Sequence, residues 1–235
     1  MNMDRYIKLG ISELDDILPL IPRGYSFLLY GPSGVGKTIF SLQFMCDGIK
    51  KFDERGVYFV LKEFPNDLRF KALSLGFDVT KMEKENMLII VDCFSKSIPI
   101  RSSEKFVSDG TVHGILRALK KIIENVGNVD RVVIDPVSVI FEEEKIEKVS
   151  KLLAVFSQLK ITSLLISSEE HAKKLEHFCP GVFEMMLENK NGKTEYSLVI
   201  KKIEGIRQQT PIYFPYRIVR GRGIHILEAS ENTQT

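Results

Sequence analysis

Residues 25–30 (YSFLLY) form an apolar run that leads directly into GPSGVGKT at 31–38, and a helical periodicity continues from there to Lys50. Every fixed position of the pattern G-x-x-x-x-G-K-[ST] is filled. The residue types follow from the chemistry. Gly31, Gly34 and Gly36 let backbone N–H groups turn toward one point with no side chain between them, while Pro32, Ser33 and Val35 occupy the variable positions. Lys37 adds a cation and Thr38 a hydroxyl, and the helix that follows aims its N-terminus at the same point. Strand, glycine-rich loop and helix in this order make a phosphate-binding loop. Its expected ligands are ATP and Mg²⁺; these residues alone do not separate ATP from GTP.

A loop of this kind sits at the carboxyl end of a parallel sheet, and the rest of the chain has the matching pattern. The stretches 57–61 (VYFVL), 87–92 (MLIIVD), 131–135 (RVVID) and 161–167 (ITSLLIS) read as strands without polar alternation, as buried parallel strands do. Helices are predicted over 37–50, 65–75, 110–125 and 142–160. Strand and helix in alternation give a doubly wound α/β fold, a mostly parallel sheet flanked by helices. Beyond residue 180 the pattern changes to antiparallel strands. A hairpin turning at Asn191-Gly192 is followed by a short pair near 216–219 and 224–227. One domain is expected over 1–228, with a polar tail at 229–235.

A phosphate loop needs a carboxylate on a neighbouring strand to complete the Mg²⁺ shell. Asp135 ends RVVID, so Thr38 and Asp135 are the metal candidates; an aspartate that merely terminates a strand is the competing reading. Net charge is near zero, with 33 Lys+Arg against 31 Asp+Glu, which gives no argument for nucleic acid. The three cysteines, Cys46, Cys93 and Cys179, are widely spaced and read as reduced thiols. The opening MNMDRYIKLG lacks the apolar core of a signal peptide, and no run is long enough for a membrane span. A cytoplasmic location without membrane attachment is therefore expected.

Longer stretches resemble the KaiC-like ATPases of the RecA/RadA superfamily. LGISELDDILPLIPRGYSFLLYGPSGVGKT is similar to the family's opening, VYFVLKEFPNDLRFKALSLGFDV to its Y-V-x-x-E-E-x-P…S-x-G-W-D segment, and SLVIKKIEG to its K-M-R-G strand and turn. The resemblance implies an ATP-binding RecA-type domain that assembles as a homo-oligomer, commonly a hexamer, with nucleotide between subunits. It also implies nucleotide contacts at Ser74 and Lys202, and a γ-phosphate-sensing position near Ser168, where a local helix cap is an equal alternative.

Two positions depart from the family. Its first paired glutamate falls on Lys62, leaving Glu63 as the catalytic candidate beside Lys37, and its trans-acting arginine falls on Glu204. A protonated lysine cannot accept a proton from water, and a carboxylate cannot stabilise charge on a transferring phosphoryl group. Lys62 and Glu204 carry charges able to pair across a subunit boundary. The expected function is an ATP-dependent regulatory or assembly switch with slow or lost hydrolysis, acting on an unidentified protein partner. The alternatives are an active ATPase with Glu63 as base and Arg207 as finger, or a RadA-like paralogue binding DNA. The acidic run 142–144, read as opening a helix, disfavours DNA. His171, His177 and Cys179 fit no common zinc spacing and read as a polar loop.

Overall fold

The computed structural model describes residues 5–18, 21–98, 100–143, 146–190, 193–205 and 211–227. Five predicted strands are found within a residue of their expected bounds: β3 (Ser26–Tyr30), β4 (Gly56–Val60), β5 (Leu88–Asp92), β6 (Arg131–Asp135) and β7 (Thr162–Ser167). All but the last residue of β6 are buried along these strands, so successive side chains face two separate cores. Phe27 and Leu29 of β3 pack on one side with Phe40, Phe44 and Met45 of α2 (Lys37–Phe52). Leu28 and Tyr30 face the other side, with α5 (Val112–Val126) and α7 (Ile146–Gln158).

A short N-terminal ribbon pairs β1 (Tyr6–Ile7) with β2 (Ile21–Pro22), flanking α1 (Ser12–Ile17). The C-terminal strands are β8 (Gly181–Lys190), β9 (Lys193–Ile203), β10 (Ile212–Val219) and β11 (Gly223–Ile226). The main sheet runs β11-β10-β9-β8-β3-β7-β6-β4-β5, parallel from β8 to β5 and antiparallel from β8 to β11. The α/β fold with C-terminal antiparallel strands is therefore as expected. The turn at 191–192 and the tail at 229–235 lie outside the described residues.

The helix expected over 142–160 is two helices. The first, α6 (Ser138–Glu143), begins soon after β6, because Val137 and Ile140 already supply buried apolar contacts there. Glu142 and Glu143 thus end a helix instead of opening one, and the dipole argument for an acidic N-terminus does not hold for them. Residues 169–179, expected as a loop, contain α8 (Glu169–Leu175) and a 3₁₀ turn (Glu176–Phe178). Two further helices, α3 (Pro65–Ser74) and α4 (Val79–Lys84), separate β4 from β5.

Arg131, fully buried at the start of β6, ties several elements together. Its Nε donates to Glu54, its Nη1 to the Phe44 carbonyl at 2.9 Å and its Nη2 to the Lys8 carbonyl at 2.6 Å. The guanidinium also lies over the Phe44 ring, 4.5 Å from its centroid. This fixes the middle of α2, and so the helix that carries the phosphate loop.

Candidate functional site

The loop 31–36 joins the end of β3 to the start of α2. Gly31 has φ +146°, and a Cβ there would stand 2.1 Å from the Met185 carbonyl oxygen of β8, so only glycine fits. Gly34 has φ +85°, and a Cβ there would meet nothing within 4 Å, which leaves that side of the loop open. Gly36 precedes α2 in a left-handed conformation, and no side chain caps the helix. The first-turn N–H groups of α2 are left for an anion, with Lys37 beside them.

The loop is held from beneath by the C-terminal strands. The buried Tyr216 hydroxyl donates to the Val35 carbonyl at 2.6 Å. Gln43 of α2 binds Ile224 at both ends, donating to its carbonyl at 3.2 Å and accepting from its N–H at 2.7 Å.

Side chains converge above the loop. Lys37 Nζ donates to the carbonyls of Gly31 and Pro32 at 2.6 and 2.7 Å. Burial lowers the Lys37 pKa, while the charges of Asp135 and Glu169 oppose that shift. Thr38 Oγ1 donates to Asp135 Oδ2 at 3.2 Å, and the Tyr58 hydroxyl donates to the same oxygen at 2.8 Å. Ser41 Oγ lies 2.7 Å from the Tyr58 hydroxyl and extends the chain of hydrogen bonds. Burial raises the Asp135 pKa, against the lowering effect of the bonds from Tyr58 and Thr38.

A cleft of about 560 Å³ opens here, large enough for a nucleotide's phosphates and more. Its walls include Gly31, Pro32, Ser33, Lys37 and Thr38 from the loop and α2, and Lys62 beyond β4. Asp135 and Ser138 line it from the β6 side, and Ser168, Glu169 and Glu170 from the β7 side. A hydroxyl and a carboxylate side by side are hard oxygen donors of the kind Mg²⁺ takes together with phosphate oxygens and water. Thr38 and Asp135 fit that ion, and the open loop with its uncapped helix fits the phosphates.

Glu63, Ser74, Lys202 and Glu204 lie apart from this cleft. Glu63 is not among its lining residues and is ion-paired with Lys71. Ser74, at the exposed end of α3, donates to the Lys71 carbonyl at 2.8 Å. Lys202 is opposite Val182 in the β8–β9 ladder, level with Leu28 of β3 and two strands aside. Its Nζ contacts Glu204 at 2.9 Å and the Glu176 carbonyl at 3.3 Å. Glu204 follows β9 at the end of the sheet away from the loop, where its N–H binds the Pro180 carbonyl. The expected Lys62–Glu204 attraction therefore competes with a pair inside the chain. Ser168 makes no side-chain cap to α8; its Oγ lies 3.0 Å from His171 Nδ1. Arg207 lies outside the described residues. Among those described, no three His, Cys, Asp or Glu side chains gather as a metal site, which removes the His171/His177/Cys179 grouping. No described helix is long and apolar enough to cross a membrane.

Local sequence does not single out Tyr58, Ser41, Tyr216 or the Glu169–Glu170 wall as parts of the site. Tyr58 leaves a trace, a hydroxyl inside an otherwise apolar strand, and so do two glutamates directly after ITSLLISS. Nothing local marks Tyr216, whose partner is 181 residues away.

A family model described as "ATPase: KaiC" matches residues 7–231. The chain is 31% identical to a UPF0273 protein of Aeropyrum pernix, over 94% of this chain and 98% of that one. A UPF0273 protein of Pyrococcus horikoshii is 32% identical, over 86% of this chain and 87% of that one. The circadian clock oscillator protein KaiC of Parasynechococcus marenigrum is 28% identical over 77% of this chain, which covers 35% of that longer protein. Among solved structures, a KaiC-like protein of Pyrococcus horikoshii superposes with a TM-score of 0.79 at 27% identity, covering 95% of this chain and 99% of that one.

Proposed function

The chain belongs to the KaiC family of ATPases, and from that premise we propose that it is an ATP-dependent switch in which bound nucleotide, more than its rapid turnover, carries the signal. Lys37, Thr38 and Asp135 hold the triphosphate and Mg²⁺, with the amides of 31–36 wrapped around the phosphates. The observation that carries the reading is Lys62 on the cleft wall. Its ammonium pairs with the γ-phosphate and favours the bound triphosphate, but it offers no lone pair to an attacking water.

The position of Glu204 adds support. An arginine finger is worth about 10³-fold or more in rate, and here the aligned position is a carboxylate paired with Lys202. Lys202 reaches a nucleotide only from a second copy of the chain, so a homo-oligomer, with six subunits as the family precedent, belongs to the same proposal. A protein partner that reads the nucleotide state completes it.

Steady-state phosphate release with ATP and Mg²⁺ tests the switch. Turnover at least 100-fold below the ~10 s⁻¹ typical of enzymes is expected. A rate near that typical value shows an ordinary ATPase and removes the proposal.

A further inference from the structure

The order of the parallel strands ranks the carboxylates around the γ-phosphate. β7 is the immediate neighbour of β3, whereas β4 is three ladders away through β7 and β6. At about 4.8 Å per ladder, a side chain after β7 starts about 5 Å to the side of the loop-bearing strand, and one after β4 about 14 Å, a span that the long Lys62 side chain bridges to line the cleft. Glu63 follows β4, is absent from the cleft wall and is engaged by Lys71. Glu169 follows β7 and lines the cleft with Lys37, Thr38 and Asp135. It is also exposed, so its carboxylate is free to hold a water.

We propose that Glu169 is the catalytic carboxylate of this chain, orienting and deprotonating the water that attacks the γ-phosphate in its slow ATP hydrolysis. The proposal rests on the ATP-binding reading above. The water oxygen forms a bond to Pγ, and the bond from Pγ to the β,γ-bridging oxygen breaks, its electron pair leaving on ADP. The water proton passes to Glu169 and then to phosphate or solvent. The assignment also explains how a chain with Lys62 in the usual place of a glutamate retains a base: the base is on the opposite wall, and Lys62 balances the phosphate charge from its own side.

Two measurements on the full chain decide it. In single-turnover assays with radiolabelled ATP and Mg²⁺, Glu169→Gln is expected to slow phosphate release about 100-fold or more. Glu63→Gln is expected to slow it less than tenfold. In equilibrium binding, Glu169→Gln removes a negative charge beside the γ-phosphate, so the preference for a non-hydrolysable ATP analogue over ADP rises about threefold to tenfold. Thermal melting confirms that each variant is folded. A larger loss from Glu63→Gln than from Glu169→Gln overturns the proposal, as does an unchanged ATP/ADP preference in Glu169→Gln. A parent protein that binds ATP yet releases no phosphate overturns it too, while leaving nucleotide binding intact. Failure to bind ATP at all refutes the premise.

Discussion

The hydroxyl of Tyr216 is the most exacting test of how the C-terminal strands serve the phosphate loop. Tyr216 is 3% exposed, and its ring lies 5.6 Å from that of Tyr196, so Tyr216→Phe keeps the packing and removes one donor. Burial raises the pKa of this phenol, so it remains a donor at any working pH. The lost bond, at 2.6 Å to the carbonyl of the fully buried Val35, leaves an acceptor without this donor. Such a loss costs about 1–3 kcal/mol. For a domain of this size each kcal/mol lowers Tm by about 2–4 °C, so a fall of about 2–12 °C is expected by circular dichroism. A loop no longer pinned at Val35 must be ordered by its ligand, and ATP affinity should drop about threefold to tenfold. The same melts with ATP and Mg²⁺ report that drop as a smaller ligand-induced rise in Tm. A variant with the parent's Tm and the parent's nucleotide shift would refute the claim that β10 braces the loop.

Two other expectations concern the core. Burial pushes the thiols of Cys46, Cys93 and Cys179 up to about 12. At pH 8 roughly one in ten thousand is then a thiolate, so a thiol reagent should titrate none of the three in the native protein and all of them in denaturant. Gly48→Ala places a Cβ 2.1 Å from Arg131 Nε and forces the guanidinium away from Glu54. Breaking that buried pair should cost about 3 kcal/mol or more, read as a lower urea midpoint with an unchanged slope.

Much of the fold was legible because each central strand has an apolar middle without polar alternation and β3 runs straight into the glycine loop. The split of 138–158 into two helices was not. Three consecutive glutamates look like a helix N-terminus, whereas the deciding residues, Val137 and Ile140, act through packing that only the assembled core reveals. The loop, Lys37, Thr38 and Asp135 converge as their residue types suggested, because the loop follows β3, Lys37 and Thr38 open α2, and Asp135 ends β6, positions that the α/β pattern dictates. The roles of Tyr216 and Glu169 depend instead on which strands become neighbours. Tyr216 reaches Val35 because β10 and β11 fold back beneath the loop, and Glu169 enters the cleft because β7 pairs with β3. Neither adjacency is encoded locally.

Titration calorimetry with ATP and Mg²⁺, on the parent and on Lys37→Ala, bears most directly on whether this cleft holds a nucleotide. Saturable one-site heat is expected for the parent, with an affinity at least 100-fold weaker without the Lys37 ammonium. No heat with the parent, or equal binding by the two proteins, would contradict it.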